Sequence, residues 1–454
     1  MNDMASQQRH MLASIRHLKL FESVGHLGGV RRASEECHLS QPAVTQAIAK
    51  LEERVGVTLL KRRASGSYLN EFGVILHRRT QRFFAQIEEA IGELGVPGSP
   101  LSIPRMASRI SWLQIRSLVA VVGDGSIAQA ARALGVSQTS LQRACRDLER
   151  ILGTPLYAQA ASGGMATPAA ARFARKVNMA KREIDGAIEE LEAARGNIGG
   201  EIAIGAMLLA GSALLASVIQ EFVASYPNAN IRILSGNTEE MMRCLRMGDV
   251  DVVIGLVGDT KCDDLIQIAL AETPYLVVGR HGHPLSNKSS VTLDELAQYD
   301  WIIATPGARR RIRFEKLFAG RRAPKTRIET GSLPTVRLLL SRSDRLTILT
   351  SYELMHEEDS LEAIPFGPID PVPSMGLMMR NGWIPTQLLD DFIDLVRRRI
   401  VGSLLPAREL QQSHQKIGVE GPVQGLPAPP WRPALVRSPS VTDREEPGRN
   451  HRSR

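Results

Sequence analysis

Apolar positions recur at helical spacing through the first half of the chain. Leu18, Phe21 and Val24 mark one helix, which Gly28-Gly29 ends, and residues 30–36 form a second. Ser40 is placed to cap a third helix with Pro42 in its first turn, and Val44, Ile48 and Leu51, at i, i+4 and i+7, give it a buried stripe. Pro42, Ala43, Thr45, Gln46 and Lys50 are left facing outward. A short polar helix face behind a tight turn is the form a major-groove reader takes. A hairpin beginning Leu59-Leu60-Lys61-Arg62-Arg63 follows, then a long helix over 74–94 with Phe84, Ile87, Ile91 and Leu94 as its seam.

The pattern then repeats. Ser40-Gln41 falls on Ser137-Gln138, Leu51-Glu52 on Leu148-Glu149, Gly56 on Gly153 and Gly66 on Gly163, all at an offset of 97 residues without a gap. The apolar positions keep the same offset, Phe21 on Leu118 and Val44 on Leu141 among them. One long period predicts a duplicated domain, since solenoid repeats are much shorter. The copies differ in chemistry. Gln142 replaces Thr45, Thr139 replaces Pro42, and Ala158-Gln159-Ala160 replaces Lys61-Arg62-Arg63, while Arg143 and Arg146 remain on the outward face. Cations in the first hairpin suit phosphates or a narrow minor groove, so copy one is expected to be the stronger reader. Two roles stay open for copy two: DNA contact, or a dimerisation or spacer module. Gly95, Pro97, Gly98, Pro100 and Pro104 predict a flexible linker over 95–110 that lets the copies reorient. A second long helix, over 169–194, carries Ile184, Ile188 and Leu191 as its seam.

From Gly199 the period changes to strands alternating with helices, the start of an open α/β sheet. Ligands of such sheets lie beyond the carboxyl ends of the strands, which singles out Ser212, Asn237, Thr238, Thr305 and Ser332 as candidate contacts. Their hydroxyls, amide and helix N-termini suit an oxygen-rich or anionic small molecule, although ordinary turns carry the same residues. The run Arg309-Arg310-Arg311 with Arg313 either neutralises a carboxylate or, more commonly for such runs, forms a solvated helix face. The strand–helix pattern restarts at Tyr275, and a last strand begins near Met375. The chain therefore crosses twice between two subdomains, near 271–275 and 365–375, which makes a hinge. Residues 406–454, rich in Pro, Arg, Ser and Gly and without an apolar period, predict a disordered basic tail.

Composition narrows the function class. Hydrophobic residues make up 43% of the 454 positions and aromatics only 4%, so several domains with aliphatic cores are expected. A net charge of +8 favours a polyanionic partner without identifying one. Cys37, Cys145, Cys244 and Cys262 are too scattered for a disulfide framework or a metal site, which fits a reducing cytoplasm. The uncharged stretch 202–219 is broken by Gly205, Gly211, Ser212 and Ser217, so it predicts strand, turn and helix rather than a membrane span, and the N-terminus has no signal-peptide pattern. No phosphate loop, HExxH, nucleophile elbow or zinc spacing occurs. His281 and His283 are two histidines in a loop. Neither an enzyme nor a cofactor is expected.

Residues 43–63, AVTQAIAKLEERVGVTLLKRR, preceded by Ser40-Gln41-Pro42 and followed by a glycine-containing hairpin, resemble the DNA-binding domain of LysR-type regulators. GEIAIGAMLLAGSALLASVIQEFVASYPNANIRILSG, PYLVVGRHGHPL, YDWIIATPG and MGLMMRNGWIPTQ resemble the effector domain of that family, itself similar to periplasmic binding proteins. The resemblance implies a multidomain fold: two mainly α winged helix-turn-helix units and an α/β effector domain of two subdomains. It places a first unit with its following helix at 11–94, a linker at 95–110, a second unit with its linker helix at 111–198, the effector domain at 199–405 and the tail at 406–454. The implied DNA contacts are Ser40, Gln41, Pro42, Thr45, Gln46, Lys50, Lys61, Arg62 and Arg63, with Ser137, Gln138, Gln142, Arg143 and Arg146 in the second copy. The implied partners are double-stranded DNA, a small-molecule effector (a sugar or an aromatic or other organic acid) and a second copy of the chain, as homodimer or homotetramer. The competing reading is a small-molecule binding protein whose degenerate helix-turn-helix units serve only oligomerisation. DNA binding separates the two.

Overall fold

The computed structural model describes residues 14–63, 66–95, 102–158, 164–207, 212–258, 262–355, 357 and 359–404. The tail expected at 406–454 lies outside them. The described residues other than 382–384 belong to one large unit.

The first half is built from local signals that act where the sequence places them. Helix α1 (Ile15–Leu27) ends at Gly28 in the left-handed region, and α2 (Val30–Glu36) follows. Helix α3 (Gln41–Val55) begins where the Ser40 hydroxyl accepts from the Ala43 amide at 3.4 Å, with Pro42 in the first turn, and it ends at left-handed Gly56. Strands β1 (Leu60–Arg63) and β2 (Gly66–Leu69) form an antiparallel hairpin. The Asn70 side chain then caps α4 (Glu71–Glu93) by accepting from the Gly73 amide at 2.8 Å.

The same order returns after α5 (Ile103–Arg109). Helices α6 (Trp112–Asp124), α7 (Ile127–Leu134) and α8 (Gln138–Leu152) lead into the short hairpin β3 (Tyr157–Ala158) and β4 (Met165–Ala166), and then α9 (Pro168–Ala194). The caps match position for position. Ser137 accepts from the Ser140 amide at 3.2 Å, Gly125 and Gly153 are left-handed, and Thr167 caps α9 by accepting from the Ala170 amide at 3.1 Å.

Two expectations about the linker are corrected. Residues 103–109 are helical, because Pro104 sits in the first turn, where its missing N–H costs nothing. The copies are also packed together rather than free to reorient, while residues 96–101 of the expected linker lie outside the described residues. Ala107 and Ile110, at 1% and 4% exposure, join a continuous buried cluster that contains Phe21, Leu51 and Ile87 of the first copy and Leu118, Leu148 and Phe173 of the second. Its centre is the packing of α4 on α9. Arg79 reaches Glu183 and Glu190 while Lys176 reaches Glu89 and Glu93, so the two helices run antiparallel. The α9 seam of Ile184, Ile188 and Leu191 is thereby occupied by a helix of the same chain.

The second half holds a five-stranded sheet, a three-stranded sheet and a separate pair of strands. The first has the order β6 (Ala229–Gly236), β5 (Gly200–Met207), β7 (Val252–Val257), β14 (Ser374–Arg380), β8 (Leu265–Glu272). Its first three strands are parallel, and β14 runs antiparallel to both neighbours, so the sheet is mixed. Helices α10 (Ser212–Ser225), α11 (Thr238–Met247) and α16 (Gln387–Leu404) belong to this lobe. In the other lobe, β12 (Thr347–Thr350), β9 (Tyr275–Arg280) and β13 (Leu361–Ala363) are antiparallel, beside the parallel pair β10 (Ile302–Ile303) and β11 (Ile328–Glu329). Helices α13 (Arg309–Leu317), α14 (Leu333–Leu340) and α15 (Ser351–Met355) complete it, after the single turn α12 (Leu293–Leu296). The chain passes from lobe to lobe between Glu272 and Tyr275 and returns between Ala363 and Ser374. Among the described residues no helix is long and apolar enough to cross a membrane.

Candidate nucleic-acid interface and ligand cleft

Burial of Val44, Ala47, Ile48 and Leu51 fixes the roll of α3. Ser40, Gln41, Pro42, Thr45, Gln46 and Lys50 are all exposed as a consequence. Leu51-Glu52, seen in the sequence only as a repeated pair, has a definite role. Glu52 Oε1 accepts from the Leu59 and Leu60 amides at 2.7 and 3.3 Å, tying α3 to the start of the hairpin. Lys61 is exposed on β1, and Arg62 and Arg63 continue that strand opposite Ser67 and Gly66.

Copy two repeats the frame with a different surface. Glu149 Oε1 accepts from the Leu156 and Tyr157 amides at 2.8 and 3.0 Å, the counterpart of the Glu52 clamp. Ser137, Gln138, Arg143 and Arg146 are exposed and Gln142 is half-buried. Asp147, which stands where copy one has Lys50, pairs with Arg150 at 2.6 Å and approaches Arg143 at 4.0 Å, so part of the positive charge on this face is neutralised. The hairpin positions facing solvent here are Ala158 and Met165, and Gln159 and Ala160 lie outside the described residues. A broad groove between the copies is lined by Lys50 and Arg54 from one side and Arg116 and Arg143 from the other.

Copy two also holds the α/β half of the chain. Asn178 Nδ2 donates to the Met247 carbonyl at 2.7 Å, and Arg182 donates through Nε and Nη2 to the Gly248 carbonyl at 3.3 and 3.1 Å. Glu189 accepts from the Glu201 amide at 3.3 Å, and burial pushes its carboxyl up to about 7. Arg182 and Glu189 stand where copy one has Ala85 and Gly92. The sequence pattern did not single out these docking residues, although the mismatch of charge against small residues at one offset was visible.

The five strand-end residues have unlike settings. Asn237 is spent on a capping box, accepting from the Glu240 amide while Glu240 accepts from its own. Thr238 is half-buried, with its hydroxyl 3.8 Å from Met207 Sδ at the end of β5. Thr305 is exposed, Ser332 caps α14 by accepting from the Thr335 amide, and the side chain of Ser212 lies outside the described residues. The lobes meet instead through residues that the loop argument passed over. Arg309 Nη1 donates to the Val257 carbonyl at 2.8 Å, across from the second lobe to the end of β7. Gly258 lets the guanidinium in, since a Cβ there would fall 2.6 Å from Arg309 Nη2. Tyr352 of α15 interacts with the Leu214 backbone of α10, and burial raises its phenol to about 12. Beside Arg309 the Tyr275 hydroxyl is buried without a hydrogen-bond partner, and burial raises its phenol against the opposing charges of Arg309 and Arg310. The arginine run is thus not a uniformly solvated face.

The family described as "LysR substrate binding domain" matches residues 195–400, and "Bacterial regulatory helix-turn-helix protein, lysR family" matches 15–74 and 112–172. The chain is 30% identical over 377 residues to the HTH-type transcriptional regulator GalR of Pseudomonas putida, covering 82% of this chain and 93% of that protein. It is 30% identical over 241 residues to the HTH-type transcriptional regulator GbpR of Rhizobium radiobacter, covering 51% of this chain and 78% of that protein. Among solved structures, a full-length OxyR variant from Pseudomonas aeruginosa is similar at 20% identity and a TM-score of 0.48, covering 63% of this chain and 93% of that one.

Proposed function

The chain belongs to the LysR family of DNA-binding transcriptional regulators, which are not enzymes, and from that premise we propose that it carries two winged helix-turn-helix units, the first being the main reader. The units occupy about 11–94 and 111–198, and the effector domain occupies 199–405. The observation that carries this reading is the exposed polar face of α3, held to a basic hairpin by the Glu52 clamp. Thr45 and Gln46 are the base readers, Ser40, Gln41 and Pro42 open the helix at the groove, and Lys50, Lys61, Arg62 and Arg63 meet phosphates. Ser137, Gln138, Gln142, Arg143 and Arg146 make a second, weaker contact. The protein works in the cytoplasm as a homodimer or homotetramer.

The effector is a small anion, an organic acid rather than a neutral sugar, held between the lobes. Arg309 and the partnerless Tyr275 hydroxyl support this class, with Thr238, Thr305, Ser332, Ser212 and Asn237 around the cleft. Binding changes the balance between lobe arrangements, and a coupling of about 1–3 kcal/mol alters DNA occupancy several-fold or more. The test has two parts. The full chain should retard a duplex from upstream of its own gene, and a panel of small organic acids should contain one that raises the melting temperature of wild type but not of Arg309→Ala or Thr238→Val. No retardation sinks the regulator assignment. A stabilising acid that binds both variants as tightly as wild type sinks the cleft.

A further inference from the structure

The contact between α4 and α9 obeys a two-fold relation. Under the offset of 97 residues, Arg79 corresponds to Lys176 and Glu93 to Glu190. Arg79 bonds Glu190, with Nη2 to Oε1 at 2.5 Å, and Lys176 bonds Glu93, with Nζ to Oε1 at 2.5 Å. Exchanging the copies therefore carries one ion pair onto the other. Gln86 corresponds to Glu183, and these two touch each other, Nε2 to Oε1 at 3.1 Å. A residue that meets its own counterpart lies on the axis. Antiparallel packing of equivalent helices is what such an axis produces. The rest of each unit follows, because α1 packs on α4 as α6 packs on α9. Ile15 and Trp112, equivalent residues, line the same groove between the copies.

This step rests on the reading that both units bind DNA. We propose that one chain is a built-in pseudo-symmetric pair of DNA readers, and that its partner is a duplex with two inverted arms of different sequence. A two-fold pair of reading helices demands inverted arms. Two identical subunits would demand identical arms. Here the outward Thr45, Gln46 and Lys50 correspond to Gln142, Arg143 and Asp147, so the two arms are read by different donors and acceptors. A second chain joining through its effector domain adds another such pair rather than completing the first.

The test is selection from a pool of random-sequence duplexes by the full chain, in wild type, Thr45→Ala with Gln46→Ala, and Arg143→Ala with Arg146→Ala. All four side chains are exposed, so the fold should tolerate their removal, and matching melting curves verify it. The expected motif has two inverted, unlike arms, and each double variant flattens base preference in a different arm, by about fivefold or more. A single arm, a direct repeat, or identical arms that both flatten with Thr45→Ala and Gln46→Ala would overturn the proposal and leave the regulator assignment standing. Failure of wild type to enrich any motif would overturn that assignment as well.

Discussion

Copies one and two share a frame to the level of individual hydrogen bonds and differ almost wholly in what they present. The serine caps, the left-handed glycines and the Glu52 and Glu149 clamps coincide at one offset. Copy one spends its surface on a polar reading face and a basic hairpin. Copy two places Asp147 among its arginines and uses Asn178, Arg182 and Glu189 on its long helix to hold the effector domain. The difference teaches that a repeated frame need not present the same surface twice. On the proposed function copy one is the stronger DNA reader, and the other copy also carries the joint to the effector domain.

The largest expected effect tests what joins the copies. Arg79 and Glu183 are each 1% exposed, so Arg79→Ala leaves the buried Glu183 carboxylate held by Arg82 and Gln86 alone and should cost about 2–3 kcal/mol in chemical denaturation. The counterpart Lys176→Ala removes pairs with the exposed Glu89 and Glu93 and should cost under about 1 kcal/mol. Equal losses would refute the burial argument. Next in size, Lys61→Ala with Arg62→Ala and Arg63→Ala should lower the slope of log K against log salt by about 2–3, as expected for up to three lost phosphate contacts. An unchanged slope removes the hairpin from the interface.

A smaller effect concerns the joint. The Glu189 carboxyl titrates near 7 when folded against an ordinary 4.5, so both states are protonated below about 4.5 and only the unfolded chain is ionised between the two values. Stability should therefore fall as pH rises from about 4.5 to about 7, by at most about 3 kcal/mol and less because the side chain is only half-buried. Glu189→Gln should flatten that window in thermal melts, and an unaltered profile would show that Glu189 does not titrate there. The smallest effect is a control on equivalence. Ser40→Ala and Ser137→Ala should each cost about 1 kcal/mol, since both cap helices by the same bond, and a difference of twofold or more would mean the frames are less alike than their geometry.

Much of this was legible because it is local. Ser40 and Pro42 start a helix, Gly56 ends one, and Val44, Ile48 and Leu51 set its roll whatever surrounds it. The helix at 103–109 was missed because Pro104, in a stretch of prolines and glycines, looks like a breaker until its place in a first turn is known. Long-range packing was not legible. The seam of Ile184, Ile188 and Leu191 announces a partner helix without saying whether it belongs to this chain or another, and here it is α4. In the effector half the strand ends were readable from the change of period. The Arg309 bond to Val257 was not, because it depends on how two lobes close, and a run of arginines in sequence carries no mark of which one turns inward.

The central claim, copy one the stronger reader and copy two the weaker reader that also holds the effector domain, is tested most directly by equilibrium titration of a labelled duplex from upstream of the gene at one fixed salt concentration. Thr45→Ala with Gln46→Ala should weaken specific binding by about 10- to 100-fold, as expected for lost base contacts, whereas Arg143→Ala with Arg146→Ala should weaken it by only about fivefold. If the second pair cost as much as the first, or more, the division of labour between the copies would be contradicted.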